Sequence, residues 1–143
     1  MLFACTIRIT MADVDAAGII FYGSPLRWAE NLFSSWLGDI GHPLRTMFAE
    51  RIATPAVAVH VTYRSHVTLD DECRLTLSTA RIGTTSFTLR CEVRVADAAA
   101  VAVETLATHV YTEYTHPSSP NPAKTRARPL PGWLRTALEK GLR

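Results

Sequence analysis

Two carboxylates, a glycine and a helix start stand close together near the beginning of the sequence. The run is Asp13-Val14-Asp15-Ala16-Ala17-Gly18-Ile19-Ile20-Phe21-Tyr22, followed by Gly23-Ser24-Pro25. A carboxylate can attack a carbonyl or deprotonate a water. Backbone N–H groups at a helix N-terminus can hold the oxyanion that results, so this spacing suits acyl chemistry. The same residues also have a purely structural reading, in which Asp13 and Asp15 cap a turn and Gly18 supplies a positive φ. Ser24 is a good N-cap and Pro25 suits the first helical position, so the helix is expected to open there.

Other reactive side chains are scattered. Glu30 lies six residues beyond Ser24 on the same helix; it is a rival carboxylate for the chemistry, but reads better as a helix-face carboxylate meeting a partner subunit. His60 shares the polar face of a strand with Thr62 and Arg64, where it could touch an acyl group or simply be a hydrogen-bonded strand histidine; His66 lies on the sheet nearby. His109 and His116 have no neighbour at metal-ligand spacing, and Cys5, Cys73 and Cys91 form no CxxC or Cys/His cluster, so no metal is expected. Ser34 and Ser35 sit within the helix without the G-x-S-x-G turn of a serine hydrolase.

These groups need a scaffold. With 143 residues, 48% hydrophobic and 20% charged, the chain fits one soluble domain, residues 1–143, able to bury about two-thirds of its unfolded surface. A net charge of +2 is too small to point to nucleic acid. From Lys124 onward, however, six basic residues (Lys124, Arg126, Arg128, Arg135, Lys140, Arg143) face one acidic residue, Glu139. No run approaches the ~20 apolar residues of a membrane span. No basic n-region precedes an apolar core, and the odd, dispersed cysteines suit reduced thiols. A cytoplasmic location is expected.

Alternation over Phe3, Cys5, Ile7 and Ile9 predicts a half-buried strand. Ser24 to Leu37 reads as a helix with Leu26, Ala29, Leu32, Phe33, Trp36 and Leu37 on its apolar stripe and Trp28 off it. Gly38 and Gly41 close it, and a short second helix can form between His42 and Arg51. Such an apolar helix calls for burial on several sides, as though a sheet curled about it. Strands then follow over Val57–Tyr63, Cys73–Leu77, Phe87–Val95 and Ala100–Tyr114, separated by turns at Thr68–Asp71, Gly83–Thr85 and Asp97. In the last strand the apolar phase slips from Val101 and Val103 to Leu106 and Val110, which predicts a bulge near Glu104. Residues 116–131 read as a proline-rich loop and 132–143 as a short terminal helix. The class is α+β, an antiparallel five-stranded sheet wrapped around a long central helix.

The D-x-D-x-x-G-x-x-x-Y motif with its following W-x-E, in DVDAAGIIFYGSPLRWAE, resembles the hotdog-fold thioesterases, and most closely the aspartate-dependent 4-hydroxybenzoyl-CoA thioesterase family. The likeness continues through TPAVAVHVTYRSHVTLDDECRLTL, TSFTLRCEV and RARPLPGWL. By position, the resemblance implies that Asp15 is the catalytic carboxylate and that the Tyr22 backbone N–H polarises the thioester carbonyl. Gly18 would let the chain pass close beneath the acyl group, and Arg126 would help hold the nucleotide phosphates of coenzyme A. The family's basic hairpin is replaced here by Gly83, Thr84 and Thr85. Either Arg81, Arg90, Lys124 or Arg128 holds coenzyme A instead, or the thiol carrier is a protein.

A thioester needs little help to leave, because its thiol has a pKa of about 8.5. Carboxylates are weak bases at neutral pH, which leans toward direct attack by Asp15 to give a mixed anhydride; a general-base role stays open. Phe21 and Trp28 suit an aryl or medium acyl group. The resulting expectation is a cofactor-free acyl-CoA thioesterase, coenzyme A being part of the substrate. The site residues are Asp15, Tyr22 and Gly18 for chemistry, and Phe21, His60, Arg126 and Arg128 for binding. The resemblance also implies a homodimer or homotetramer with sites at the subunit interface. The alternatives are a thioesterase for carrier-protein-bound acyl chains and a non-catalytic acyl-CoA-binding module. The hydratases of this fold place a histidine a few residues after the aspartate, where this chain has Ile20 and Phe21.

Overall fold

Period-two alternation in the middle of the chain and one long helix before it dictate the architecture. The structure is a computed structural model and describes residues 1–114 and 125–142. His116, Lys124, Arg143 and the first part of the proline-rich loop lie outside the described residues. In chain order the elements are β1 (Phe3–Arg8), α1 (Ser24–Asp39), α2 (Leu44–Ala49), β2 (Ile52–Ala53), β3 (Ala56–Tyr63), β4 (Glu72–Ile82), β5 (Ser86–Val95), β6 (Val103–Val110), β7 (Thr112–Tyr114), β8 (Thr125–Ala127) and α3 (Gly132–Glu139). Five strands form an antiparallel sheet, as expected; their order is β1-β4-β5-β6-β3. This is the hotdog fold.

The core lies between α1 and the concave sheet. Trp28, Leu32, Phe33, Trp36 and Leu37 pack with Leu75 and Leu77 of β4, Phe87, Leu89, Cys91 and Val93 of β5, and Val103 of β6. Burial of each large side chain contributes on the order of 1.5–3 kcal/mol, so this one helix face supplies much of the driving force. Trp28 belongs to that face: it is buried, whereas Leu26 is 43% exposed. Spacing alone misplaces the stripe by a fraction of a turn, because it counts Leu26 and not the larger indole.

Helix α1 begins and ends differently from the expectation. Gly23 occupies the N-cap, and Ser24 is already helical, its Oγ donating to the Asp13 carbonyl at 2.7 Å. At the other end Gly38 stays inside the helix. Gly41 (φ 83°) makes the stop: His42 N–H reaches the Leu37 carbonyl (2.8 Å) and Gly41 N–H the Gly38 carbonyl (3.0 Å), a Schellman closure.

The bulge expected near Glu104 is absent. β6 pairs with β5 without interruption from Val93↔Val103 to Ser86↔Val110, and the register shifts fall instead at Ala56/Ala58 of β3 and Thr79/Arg81 of β4. The apolar phase slips for another reason: the buried face of β6 carries Thr105 and His109 in line with Val103. A second feature outside the expectation is a small sheet, β2-β7-β8, formed where Ala100–Tyr114 breaks at Tyr111 and the proline-rich segment contributes Thr125–Ala127.

Candidate active site

The segment Asp13–Ile20 folds as a tight hairpin whose every turn is hydrogen-bonded. Asp15 N–H donates to the Ile19 carbonyl (2.9 Å), Gly18 N–H to the Asp15 carbonyl (3.0 Å), and Val14 bridges Ile20. Gly18 sits at φ 74°, the left-handed position that a three-residue hairpin loop requires. The loop is anchored from outside through Ile20 N–H to the Val67 carbonyl (3.0 Å) and Leu69 N–H to the Gly18 carbonyl (3.1 Å). Within it, Ala17 N–H donates to Asp15 Oδ1 at 2.8 Å. One carboxylate oxygen is thereby held, and the other has no partner among the described residues. Asp15 is exposed.

Asp13 has a different task. Its carboxylate is buried and accepts from Thr10 N–H (2.8 Å), Thr10 Oγ1 (2.9 Å), Trp28 Nε1 (3.1 Å) and the Arg27 guanidinium. Burial alone would raise its pKa, but the Thr10 bonds, the Trp28 indole and Arg27 outweigh that and hold the carboxyl below the usual range. With both oxygens accepting, Asp13 is the anchor that ties the hairpin to α1, and the Trp28 indole N–H is committed to this anchor.

Two neighbouring peptide planes fix the helix entrance. The Phe21 carbonyl accepts from Ser24 N–H (2.9 Å), so in a trans peptide the Tyr22 N–H points the opposite way, clear of the helix. The Tyr22 carbonyl accepts from the Tyr63 hydroxyl of β3. Tyr22 N–H has no acceptor among the described residues, and its position at the N-terminus of a 16-residue helix favours a developing negative charge. The Phe21 and Tyr22 rings touch in a tilted arrangement, centroids 4.4 Å apart and planes at 47°, and both are exposed.

Between α1 and the sheet lies a cavity of about 210 Å3 lined by Leu26, Ala29 and Glu30 of α1 and by strand residues including Val59, Leu89, Thr105 and His109. A second cavity of about 520 Å3 shares Glu30, Ala56 and His109 with it and extends past Phe33 and Phe48 to Tyr114 and Thr125 of the small sheet. Glu30 therefore faces these cavities as well as the surface.

Asp15 and Gly18 lie on the hairpin, and Phe21 and Tyr22 at the helix entrance that follows it. His60 stands exposed on β3, its Nε2 3.3 Å from Thr62 Oγ1. Arg128 is engaged with Glu113 at 2.7 Å and Arg90 with Glu104 at 3.2 Å, while Arg126 and Arg81 are exposed without an ion pair among the described residues. No hydrogen bond or ion pair joins His60, Arg126 or Arg128 to the Asp15 hairpin among the described residues. Tyr63, Thr105 and His109 escape a reading by motif. The signal for the last two is the alternation Val103, Thr105, Ala107, His109, in which polar side chains take positions that β6 buries. Among the described residues no group of His, Cys, Asp or Glu could hold a metal ion, and no helix is long and apolar enough to cross a membrane.

Residues 17–102, more than half of the chain, match the thioesterase superfamily. The protein belongs to that superfamily and is a thioester hydrolase. A similar curated protein is 1,4-dihydroxy-2-naphthoyl-CoA hydrolase of Thermosynechococcus vestitus, 25% identical over 134 residues, covering 92% of this chain and 88% of its own. Among solved structures, a 1,4-dihydroxy-2-naphthoyl-CoA thioesterase from Synechocystis superposes with TM-score 0.80 at 20% identity, over 95% of this chain and 94% of the other. A mutant 4-hydroxybenzoyl-CoA thioesterase complexed with 4-hydroxybenzoyl-CoA gives TM-score 0.79 at 18% identity, over 95% and 97%. Asp15 lies just before the span matched to the superfamily.

Proposed function

We propose that this protein hydrolyses an acyl-CoA thioester, with an aromatic acyl group, through Asp15 acting at a carbonyl held by the Tyr22 N–H. One observation carries the reading. A carboxylate oriented by its own hairpin is followed directly by a helix entrance whose N–H is turned away from the helix by the Phe21–Ser24 bond, and an apolar cavity lies against the first turns of that helix at Leu26, Ala29 and Glu30. Asp15 attacks the thioester carbon or deprotonates a water that does, the Tyr22 N–H stabilises the oxyanion, and the thiolate leaves; water returns the acyl group as free acid. The reaction needs no cofactor, since coenzyme A enters as part of the substrate. Acyl groups named for the similar proteins, dihydroxynaphthoyl and hydroxybenzoyl, support an aryl substrate. Phe21 lies at the mouth to meet it, and Arg126, free of an ion pair among the described residues, is the cation offered to the nucleotide phosphates.

The working unit is at least a homodimer. β3 is the edge of the five-stranded sheet and leaves Val57, Val59 and Tyr63 60%, 47% and 47% exposed, next to Phe21, Tyr22 and Leu26. An open edge with an apolar face is covered most simply by a second copy, which would also enclose Asp15 and bring His60 to the site. Free cysteines agree with a cytoplasmic location.

The test is release of free thiol from aroyl-CoA, alkanoyl-CoA and acyl-carrier-protein thioesters by wild type and Asp15→Asn. The expected outcome is turnover of aroyl-CoA by wild type and a loss of at least about a hundredfold in kcat in the variant. Undiminished turnover by Asp15→Asn would refute the role of Asp15, and a preference for acyl-carrier-protein would move the substrate assignment.

A further inference from the structure

The entrance to α1 is a β-turn whose third residue is a glycine. Ser24 N–H donates to the Phe21 carbonyl at 2.9 Å and closes the turn Phe21–Ser24, with Gly23 at φ −84°, ψ −14°. Those angles are the third position of a type I turn. Glycine in that position also accepts the type II form, in which the Tyr22–Gly23 peptide is turned over and φ of the third residue becomes positive. The local sequence therefore leaves the orientation of this peptide plane open.

A contact from far along the chain fixes it. The Tyr63 hydroxyl, 41 residues on, donates to the Tyr22 carbonyl, the oxygen of the peptide in question. Tyr63 ends β3, where its backbone pairs with the fully buried Val103 of β6, so the phenol is carried on the sheet. Burial, with a contribution from the Tyr22 phenol, raises the Tyr63 pKa above the ordinary tyrosine value, and the hydroxyl keeps its proton for donation. Turned over, the peptide would offer N–H in place of C=O. Its nitrogen would then lie about 1 Å too far from the hydroxyl for a bond, because a carbonyl oxygen stands ~1.2 Å out from its carbon.

The orientation matters because of the other edge of the same plane. In a trans peptide the Gly23 N–H points opposite to the Tyr22 carbonyl, away from Tyr63. It has no acceptor among the described residues, and neither has the Tyr22 N–H one residue earlier. In a type I turn these consecutive N–H groups lie on one side, as in the first turn of a helix; in type II the second is reversed. We propose that Tyr63 is a positioning residue that holds this turn in its type I form, so that the Gly23 N–H stands with the Tyr22 N–H as a second donor to the oxyanion. The inference deepens the thioester-hydrolase reading and rests on it for the Tyr22 N–H as first donor. Tyr63 acts through the Tyr22 carbonyl and not on the reacting atoms.

Tyr63→Phe removes the hydroxyl and keeps the ring. Loss of a hydrogen bond of ordinary net strength shifts an equilibrium by about fivefold, and loss of an oxyanion donor costs about a hundredfold or more in the molecules that lack it. The kcat for benzoyl-CoA hydrolysis is expected to fall at least about threefold, with KM within about twofold of wild type. Gly23→Ala discourages positive φ, although its Cβ would meet the end of the Phe21 ring at 2.8 Å and that ring must swing aside. In the Gly23→Ala background, Tyr63→Phe should therefore cost less than about half of its fold-loss in wild type. The turn is read without turnover by the proton NOE between Tyr22 Hα and the Gly23 N–H, weak in type I and strong in type II. It should strengthen in Tyr63→Phe and stay weak in the double variant. A smaller fall in kcat, a loss confined to KM, an equal loss in the Gly23→Ala background or an unchanged NOE overturns the proposal. If wild type hydrolyses no thioester, the hydrolase reading fails, and the NOE by itself then supports or refutes the hold of Tyr63 on the turn.

Discussion

Replacing Asp13 by asparagine tests the anchor that ties the Asp13–Ile20 hairpin to α1. The two carboxylate oxygens divide four donors: Oδ1 takes Trp28 Nε1 and the Arg27 guanidinium, and Oδ2 takes both the N–H and the hydroxyl of Thr10. In asparagine one of these positions becomes an NH2 group. Placed toward Trp28 it faces a buried indole N–H that has no other acceptor. Placed toward Thr10 the hydroxyl can turn to accept, but the backbone N–H cannot. One donor is orphaned either way, at about 1–3 kcal/mol, and the surviving bonds lose their charge assistance. A total near 3 kcal/mol follows, a fall of more than about a hundredfold in the folding equilibrium. Urea denaturation of wild type and Asp13→Asn at pH 7 measures it. The pH dependence is the sharper check. The folded Asp13 carboxyl ionises below the unfolded value of about 3.9, so its stabilisation is complete above that value and is lost as pH falls through the lower, folded one. The gap between wild type and variant should therefore close in acid, where wild type becomes a neutral acid itself. A gap below about 0.5 kcal/mol at pH 7, or one that does not change with pH, would refute this account of the anchor.

Three further outcomes are expected. Val59→Glu puts a charge on the exposed β3 edge; it should shift the protein to monomer in sedimentation velocity and reduce thioesterase activity in parallel, and an unchanged oligomer would exclude β3 as the interface. Gly18→Ala meets no steric obstacle, yet holds an L-residue at φ 74°; it should lower stability by about 1–2 kcal/mol and reduce kcat more than KM, as read by thermal melts and thiol release. Burial pushes the Cys73 thiol up to about 11, with a minor contribution from Asp71. Burial pushes the Cys91 thiol up to about 12, with smaller contributions from Cys5 and Glu92. A disulfide-exchange reagent at pH 8 should therefore spare both until the protein is unfolded, leaving half-buried Cys5 as the sole thiol within reach.

Much of this fold is written as period and punctuation. β5 alternates without a fault, α1 carries its apolar face in plain view, and Gly18 marks the hairpin because only the left-handed region closes that loop. What periodicity cannot carry is polarity inside. Thr105 and His109 occupy buried positions of β6, so the pattern looks displaced and imitates a bulge, although the strand is regular. Ser24 looks like a cap because caps are short-range features, but its hydroxyl is claimed by a carbonyl eleven residues back, in the hairpin. The two- and three-residue strands of the small sheet are too short to leave a period and exist only through partners distant in sequence. At the site, Asp15, Gly18, Phe21 and Tyr22 are contiguous in sequence and legible together. His60, Arg126 and Arg128 lie on other elements, and no local pattern could say whether they converge.

The position of α1 in the chain also sets how the protein must be made. Trp28, Leu32, Phe33, Trp36 and Leu37 are synthesised before every strand that covers them except β1, and β6 is not complete until about 70 residues after the helix ends. At about 5–20 residues per second, the helix waits roughly 4–14 s with its apolar face uncovered on a nascent chain. The pairing of β1 with β4 is likewise deferred until residues more than 60 positions apart have both left the ribosome. Folding of this domain therefore waits on the emergence of β6, and its yield in a cell should respond to whatever shields nascent hydrophobic helices, long before any substrate is met.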